Sequence, residues 1–596
     1  MSIYDKSSLV LIPSGTKTGK IFSQKPVSGD GDFTFTRASA ATRVNADGNI
    51  EKETQNLFYQ SNNFSSGFWL QSGSVTGGQT DRNGGSDAWI VSSVLGSALI
   101  GYQTITLSGV YTFSIYVKIN ASNGFGIGFG SLSNAARFDI SDTTKTSAVT
   151  ETGLISSSQE YVGNNFYRLS ITANMSGSTQ MRMYLTTADG TASDTNGGTQ
   201  IVQDAQLEQG LVARDYIETT TPVYGGITDN TPRLDYTDSS CPALLLEPLR
   251  TNSITSSEYF GNWNTISNVT LNHNNDNSPE GVQNATQVVP NTSNANHFLD
   301  KSGFNRTNGE YITTTIYAKA NGYDYLYLSL SASRLYGVFD ISNGVVMLTN
   351  SNTTDFINDS GNIEAVGNGW YRCTLIGQAQ NTNATYLRVS CAPTSSNTHT
   401  PTYAGDGTSG VLIYGVQVET NASYATSYIP TYGSSVSRVQ DNPNELINVS
   451  TNGILNNYNS TAFIHIKKNL GTTGLTRFLA LYSASGNNPR ILLYAGNNAT
   501  FFNLNLQYRV SGQSDVGDFM GTFNNDEEIK VALVLNGTTM TSYVNGVKKN
   551  TNTIVQGADI EKLVLDDAGE LSHLVSKLLL FPSALTDQEA IDLTTI

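Results

Sequence analysis

The sequence predicts an all-β protein, a tandem array of β-sandwich (jelly-roll) domains closed by one short C-terminal helix. Three observations predict it. Only 14% of the 596 residues are charged, while Gly (55), Tyr (30) and Phe (23) are plentiful beside many Asn, Ser and Thr. That mixture favours strands and tight turns over long helices. Short runs alternate apolar and polar residues with period two between Asn/Gly turns. The third observation is an internal duplication. A chain of this length also exceeds what one core can cover, so three or four domains are expected.

The duplication is long and ordered. NLFYQSNNF (56–64) matches NSITSSEYF (252–260), and Trp69 and Trp263 follow each. SIYVK (114–118) matches TIYAK (315–319), and FDIS recurs at 138–141 and 339–342. VGNNFYR (162–168) matches VGNGWYR (366–372), AQLE (205–208) matches VQVE (416–419), and DYI (215–217) matches SYI (427–429). The offset grows from 196 residues at Asn56/Asn252 to 212 at Tyr216/Tyr428, so one strand set is repeated with loop insertions in the second copy. Within YTFSIYVKI, Phe113, Ile115 and Val117 share one face. GFGIGFGSL (124–132) has the look of a phosphate loop, but its period of two makes it a strand with Phe125, Ile127 and Phe129 on one side.

The end of the chain is a third unit. IKVALVLNGTTMTSYVNGVKKN (529–550) holds two Asn-Gly turns between strand runs, the strongest short hairpin signal. In LLLFPSALTDQEAIDLTTI (578–596), Thr586 with Glu589 forms a capping box for a closing helix.

A net charge of -16 and a pI near 4.7 argue against a nucleic-acid backbone as partner and disfavour adhesion to an anionic bilayer. Three cysteines, Cys241, Cys373 and Cys391, cannot build a disulfide framework, and the latter two sit in strand-like runs as small buried residues. No signal peptide is expected in MSIYDKSSLVLIP, and no apolar run reaches the roughly 20 residues of a membrane span.

Each repeat resembles the jelly-roll carbohydrate-binding modules of glycan-degrading enzymes. The residues that carry this are Asn-Leu, Phe, Trp, SIYVK, V-G-N-x-[FW]-Y-R and Q-[LV]-E. The last unit resembles laminin-G/concanavalin-like sandwiches. FTRASAATRV (35–44), PRLDY (232–236), LLLEPLRTN (244–252) and YIPTYGSSVSR (428–438) are similar to connecting segments of bacteriophage tail and fibre proteins. These resemblances divide the chain into an N-terminal arm and linker (1–55) for virion attachment, jelly roll 1 (56–225), a linker (226–251), jelly roll 2 (252–435) and a laminin-G-like sandwich (443–596). They imply a phage virion appendage, exterior to the particle, that binds host surface glycans through several non-catalytic modules. Its partners would be other virion proteins, and its assembly a homotrimer. The alternatives are a purely structural virion component and a polysaccharide depolymerase.

No catalytic motif accompanies the five histidines, His273, His297, His399, His465 and His573, so the chain is not expected to be an enzyme. Exposed aromatics bind sugar rings, and Tyr323, Tyr325 and Tyr327, with the copy-specific Trp89, are the glycan-binding candidates. The competing reading makes the tyrosines core, because copy one carries Phe125, Ile127 and Phe129 at about that place. Trp69, Trp263, Phe166 and Trp370 read as packing, and Arg168 and Arg372 are placed to pair with Glu208 and Glu419. The module resemblance implies a structural calcium ion, for which Asp204, Glu208 and Glu419 are the candidate ligands.

Overall fold

The computed structural model describes residues 2–120, 124–130, 134–146, 148–150, 152–468, 475–497, 501–566 and 572–596. The last two residues of GFGIGFGSL lie outside that set. Regular structure is almost wholly strand, and the strand ladders are antiparallel. The α-helices among the described residues are α1 (Ile3–Lys6) and α2 (Asp587–Thr594). As the sequence predicts, Thr586 caps α2, and Glu589 accepts from the Thr586 backbone in return. Among the described residues no helix is long and apolar enough to cross a membrane.

The second repeat is a two-layer sandwich. One six-stranded sheet runs Thr265–Ser267, Phe298–Arg306, Asn383–Ala392, Tyr325–Leu330, Leu335–Asp340, Val345–Ser351. The facing sheet runs Val269–Asp276, Ala285–Pro290, Gly410–Thr420, Tyr311–Asn321, Tyr371–Ala379, Phe356–Ala365. In the first repeat two strands, Leu99–Lys118 and Phe166–Thr186, pass through the corner unbroken, so ten strands form one bent sheet. In the second repeat the corresponding strands are interrupted by turns, one at 307–310, consistent with insertions in that copy. Phe113, Ile115, Val117, Phe125, Ile127 and Phe129 are all buried in the first core, and Cys373 and Cys391 in the second.

The repeated polar residues fasten each sandwich at the same points. Asn56 Nδ2 donates to the Ala205 and Ile217 carbonyls at 3.1 and 2.7 Å, and Asn252 Nδ2 to those of Val416 and Ile429 at 3.0 and 2.9 Å. The indoles of Trp69 and Trp263 donate to Gln60 and Ser256 carbonyls, each at 3.0 Å. Asp204 (φ 54°) and Gly415 (φ 59°) occupy the same left-handed position, where each last strand bulges.

The third sandwich draws strands from all over the chain. Its first sheet contains His573–Phe581, Asn459–Lys468, Glu528–Asn536, Thr539–Val544 and Val547–Thr553. Leu9–Leu11 and Ala243–Leu246 both pair with His573–Phe581, Leu9 opposite Leu580 and Leu244 opposite Val575. Arg233–Asp235 extends the sheet beyond Ala243–Leu246. Leu9, Leu11, Ile21, Phe33, Phe35, Leu244 and Leu246 are buried in its core. Residues 1–55 and 226–251, expected as an arm and a linker, are thus largely built into this domain. Their apolar alternation (Phe33 and Phe35 in, Thr34 and Thr36 out) is that of half-buried strand.

Two buried charge clusters weld the modules. In one, Arg37, Arg233 and Arg438 surround Asp441 and Glu247, with Arg37–Asp441 at 2.9 Å, Arg233–Glu247 at 2.6 Å and Arg438–Glu247 at 2.8 Å. These arginines belong to the FTRAS, PRLDY and SSVSR motifs, and Glu247 to LLLEP, so the connecting motifs encode a folded hub. In the other cluster, Lys52 and Arg214 from the first-repeat side meet Glu258 and Glu280 of the second. The hydroxyls of Tyr414, Tyr428 and Tyr432 converge on Glu258 Oε1 at 3.1–3.2 Å. Beside this seam, Gly109 at the bend of the first sheet (φ 109°) lets the Tyr432 carbonyl reach the Val110 amide at 3.2 Å.

Candidate functional site

The register of the second sandwich settles the alternation around the predicted tyrosines. Leu326, Leu328 and Leu330 point into the core, while Tyr325, Tyr327 and Ser329 point outward. Phe125 stands opposite Phe138 and Leu326 opposite Phe339, which aligns Phe125, Ile127 and Phe129 with Leu326, Leu328 and Leu330. Tyr327 and Ser329 therefore correspond to Gly126 and Gly128, one residue off the alignment that made the tyrosines core.

The three tyrosines are separated by this geometry. Tyr323 is buried with the core and packs edge-on against Tyr403. Tyr327 is fully buried, and its hydroxyl donates to the Thr394 carbonyl at 3.0 Å. Tyr325 alone remains half-exposed. The loop 393–401 causes the difference by lying over the middle of the outer face, where Tyr336 also donates to the Asn397 carbonyl at 3.2 Å. Tyr323 and Tyr327 are structural, then, against the expectation of a platform. Trp89 is half-buried on the Ala88–Ser93 strand, its ring lying over Gly77, where a Cβ would meet it at 3.1 Å. It covers the first core rather than projecting.

A polar row crosses this outer face. The ladder places Asp300, Arg388, Ser329, Tyr336 and Asn350 side by side on five adjacent strands. Arg388 donates from two nitrogens to both Asp300 oxygens at 2.8 Å, and its guanidinium lies 3.6 Å from the centre of the Phe298 ring. Tyr386 flanks it at 5.9 Å, and His399 of the covering loop stands over Tyr336. Burial lowers the His399 pKa, Arg388 pushes it the same way and Asp300 opposes. The imidazole is therefore neutral at pH 7 and can both donate and accept. The covered middle of the row, Ser329 and Tyr336, is buried, while Asn350 is exposed and Asp300 and Arg388 each keep 15% side-chain exposure. Fixed donors, one acceptor carboxylate and aromatic rings around a guanidinium suit vicinal hydroxyls.

The same row exists in the first sandwich. Tyr102, Arg182, Gly128 and Ala135 stand where the second has Asp300, Arg388, Ser329 and Tyr336. The sequence reading missed both arginines. Their signal was an arginine between alternating apolar residues in MRMYL (181–185) and LRVSC (387–391), one more point of the duplication.

The calcium candidates are committed elsewhere. Asp204 faces Arg82 at 3.0 Å, and burial lifts its pKa to about 6 against the pull of Arg82. Glu208 accepts from the Arg214 amide at 2.9 Å and from Gln206, and burial raises its pKa despite Arg214. Glu419 is fully buried and accepts from the Thr426 amide at 3.1 Å and from its hydroxyl at 2.5 Å. The three do not converge, and among the described residues no group of three or more His, Cys, Asp or Glu is placed to hold a metal ion. Arg168 and Arg372 donate instead to the Arg214 and Thr426 carbonyls, corresponding points of the two copies.

No known protein family matches the sequence, and no curated protein does either. Among solved structures, the carbohydrate-binding module (family 40) of a Ruminococcus gnavus IT-sialidase, bound to α2,3-sialyllactose, is 16% identical. It covers 25% of this chain and 86% of its own, with a TM-score of 0.20. Domain 4 of an extracellular family-43 arabinanase from Geobacillus stearothermophilus, in complex with arabinotriose, is 18% identical over 29% of this chain and 81% of its own, with a TM-score of 0.21. A family-43 protein from Bacillus licheniformis is 9% identical over 82% of this chain and 100% of its own, with a TM-score of 0.17. Likenesses this slight say nothing of what the chain binds.

Proposed function

We propose that the chain is a non-catalytic glycan-binding component of a phage particle, and that the Asp300–Arg388 row of the second sandwich holds the sugar. One observation carries the binding reading: a guanidinium fixed by a bidentate carboxylate and an aromatic ring, still 15% exposed on a sandwich face, recurs as an arginine at the same place in the first sandwich. Arginines needed only for solubility have no reason to keep register with a duplicated ladder. The virion reading is supported by the phage-like connecting motifs, whose arginines and Glu247 form the buried hub. Trimeric assembly and attachment to other virion proteins belong to the same proposal.

The test is a glycan array on the full chain, with its mass in solution known from light scattering. The expected result is binding to a neutral glycan class that falls at least about tenfold in Arg388→Ala, the loss of roughly one charge-assisted hydrogen bond. A well-folded chain that binds no glycan would transfer the proposal to a structural virion role. Release of reducing sugar from a bound polysaccharide would make it a depolymerase.

A further inference from the structure

The two corresponding rows differ in charge. In the second sandwich Arg388 is neutralised by Asp300 at 2.8 Å through both nitrogens. In the first, Tyr102 stands at the place of Asp300, opposite Arg182 in the ladder. The Arg182 guanidinium bonds the Gln180 amide oxygen at 2.7 Å and lies 5.9 Å from the centre of the Tyr102 ring. Among the described residues it makes no ion pair. Position 128 must be glycine here, because a Cβ would meet Ala135 at 2.8 Å and the Tyr184 ring at 3.3 Å. Tyr184 thus lies across the floor next to Arg182. Its hydroxyl, on a residue only 5% exposed, lies against the Arg182 guanidinium, which opposes the rise that burial imposes on its pKa.

This is the arrangement a carboxylate completes. A half-buried guanidinium whose acceptor is a neutral amide carries an uncompensated charge, and its planar fork matches a carboxylate with two parallel hydrogen bonds. The Tyr102 ring flanks the fork at 5.9 Å, and the Tyr184 hydroxyl beside it can donate to the same carboxylate. From these observations we infer that the first sandwich takes an acidic sugar, a uronate-type ring bound through its carboxylate at Arg182, whereas the second takes neutral glycan hydroxyls. This rests on the glycan-binding reading of the previous section and assigns the twin face a different ligand class. Bulk electrostatics cannot imitate it: a chain with a net charge of -16 repels acidic glycans, so their binding reports a local site.

The experiment uses the full chain and two probes: a trisaccharide carrying one glucuronate residue, and the same trisaccharide with that carboxyl reduced to the alcohol. Saturation-transfer NMR titration should show the acidic probe binding at least about tenfold more tightly than the reduced one, as expected when a charge-assisted pair is lost. Arg182→Gln should bring the acidic probe down to the reduced probe's affinity, Arg182→Lys should recover part of the difference, and Arg388→Gln should leave the tight binding of the acidic probe in place while weakening the reduced one. Arg182 is outside the core, so the Gln variant keeps the fold, checked by an unchanged unfolding midpoint. Equal affinity for the two probes, or an Arg182→Gln chain that binds the acidic probe like the wild type, overturns the inference. If neutral glycans still bind through Arg388 in that case, only this inference falls. If no glycan binds either face, the glycan-binding reading falls with it.

Discussion

Lys52→Met probes the seam between the first two sandwiches. The Lys52 side chain is 3% exposed and lies 2.7 Å from Glu258 Oε1, with Glu280 as its second partner; those carboxylates are 0% and 3% exposed. Methionine fills nearly the same volume, so the change removes charge more than packing. It leaves two dry carboxylates to share Arg214, and the second oxygen of Glu258 already has no hydrogen-bond partner. Breaking a buried pair by deleting one member costs about 3–5 kcal/mol. The Lys52→Met/Glu258→Gln double variant removes both charges and should recover at least about 1 kcal/mol of that loss, the coupling expected of directly contacting groups. Guanidinium unfolding followed by tryptophan fluorescence measures the cost. Limited proteolysis at the Gly225–Gly226 stretch reports whether the seam opens before the sandwiches unfold. A single-variant cost below about 1 kcal/mol would refute the argument, since a surface-like pair contributes no more than that.

Acid should act on this seam in one direction and on Asp204 in the other. Burial pushes the Glu280 carboxyl up, but Lys52 and Arg214 outweigh it and hold it well below the usual range. Its stabilisation is complete above the ordinary glutamate pKa and is lost as pH falls below it, so Glu280→Gln should flatten the loss of melting temperature between pH 5 and 3. Asp204 titrates near 6 in the folded chain. Between about pH 4 and 6 the unfolded chain releases that proton first, draining at most roughly 3 kcal/mol. Asp204→Asn, which also tolerates the left-handed backbone, should abolish the drift in that window in urea titrations. Leu11→Ala, at a fully buried strand position, should cost about 2–5 kcal/mol by calorimetry of the third sandwich. An unchanged transition would return residues 1–55 to the role of a free arm.

The sandwich architecture was legible because β-strand alternation and Asn-Gly turns are local signals. Thr586 with Glu589, and Phe113, Ile115 and Val117, act where the pattern placed them. The segments outside the duplication were not, because a two- or three-residue strand such as Leu9–Leu11 carries no period of its own. Its meaning comes from Leu578–Leu580, far along the chain. Charge was misleading for a related reason. Arg37, Arg233 and Arg438 look like the solvated residues of a connector, and their burial follows only once Asp441 and Glu247 are brought between them. The tyrosines show the limit on sites. Aligning the copies by residue type matched Phe125 to a tyrosine, whereas the ladder partners Phe138 and Phe339 match it to Leu326, and a slip of one residue exchanges core for surface.

The welded seam gives the proposed binding its physical logic. A shallow sugar site binds weakly alone, and joining two through a floppy linker lets the second search a large volume, which dilutes its effective concentration. Here the path from the first face to the second crosses the Lys52–Glu258–Glu280–Arg214 cluster and the Gly109–Tyr432 contact. Both are buried, so the spacing of Arg182 and Arg388 is set by packed side chains. Two fixed sites of different charge preference favour a polysaccharide in which acidic and neutral residues recur at a matching interval. A chain with the wrong interval gains nothing from the second site. Loosening the seam with Lys52→Met should therefore lower the affinity for a long mixed polysaccharide while leaving that for each trisaccharide unchanged.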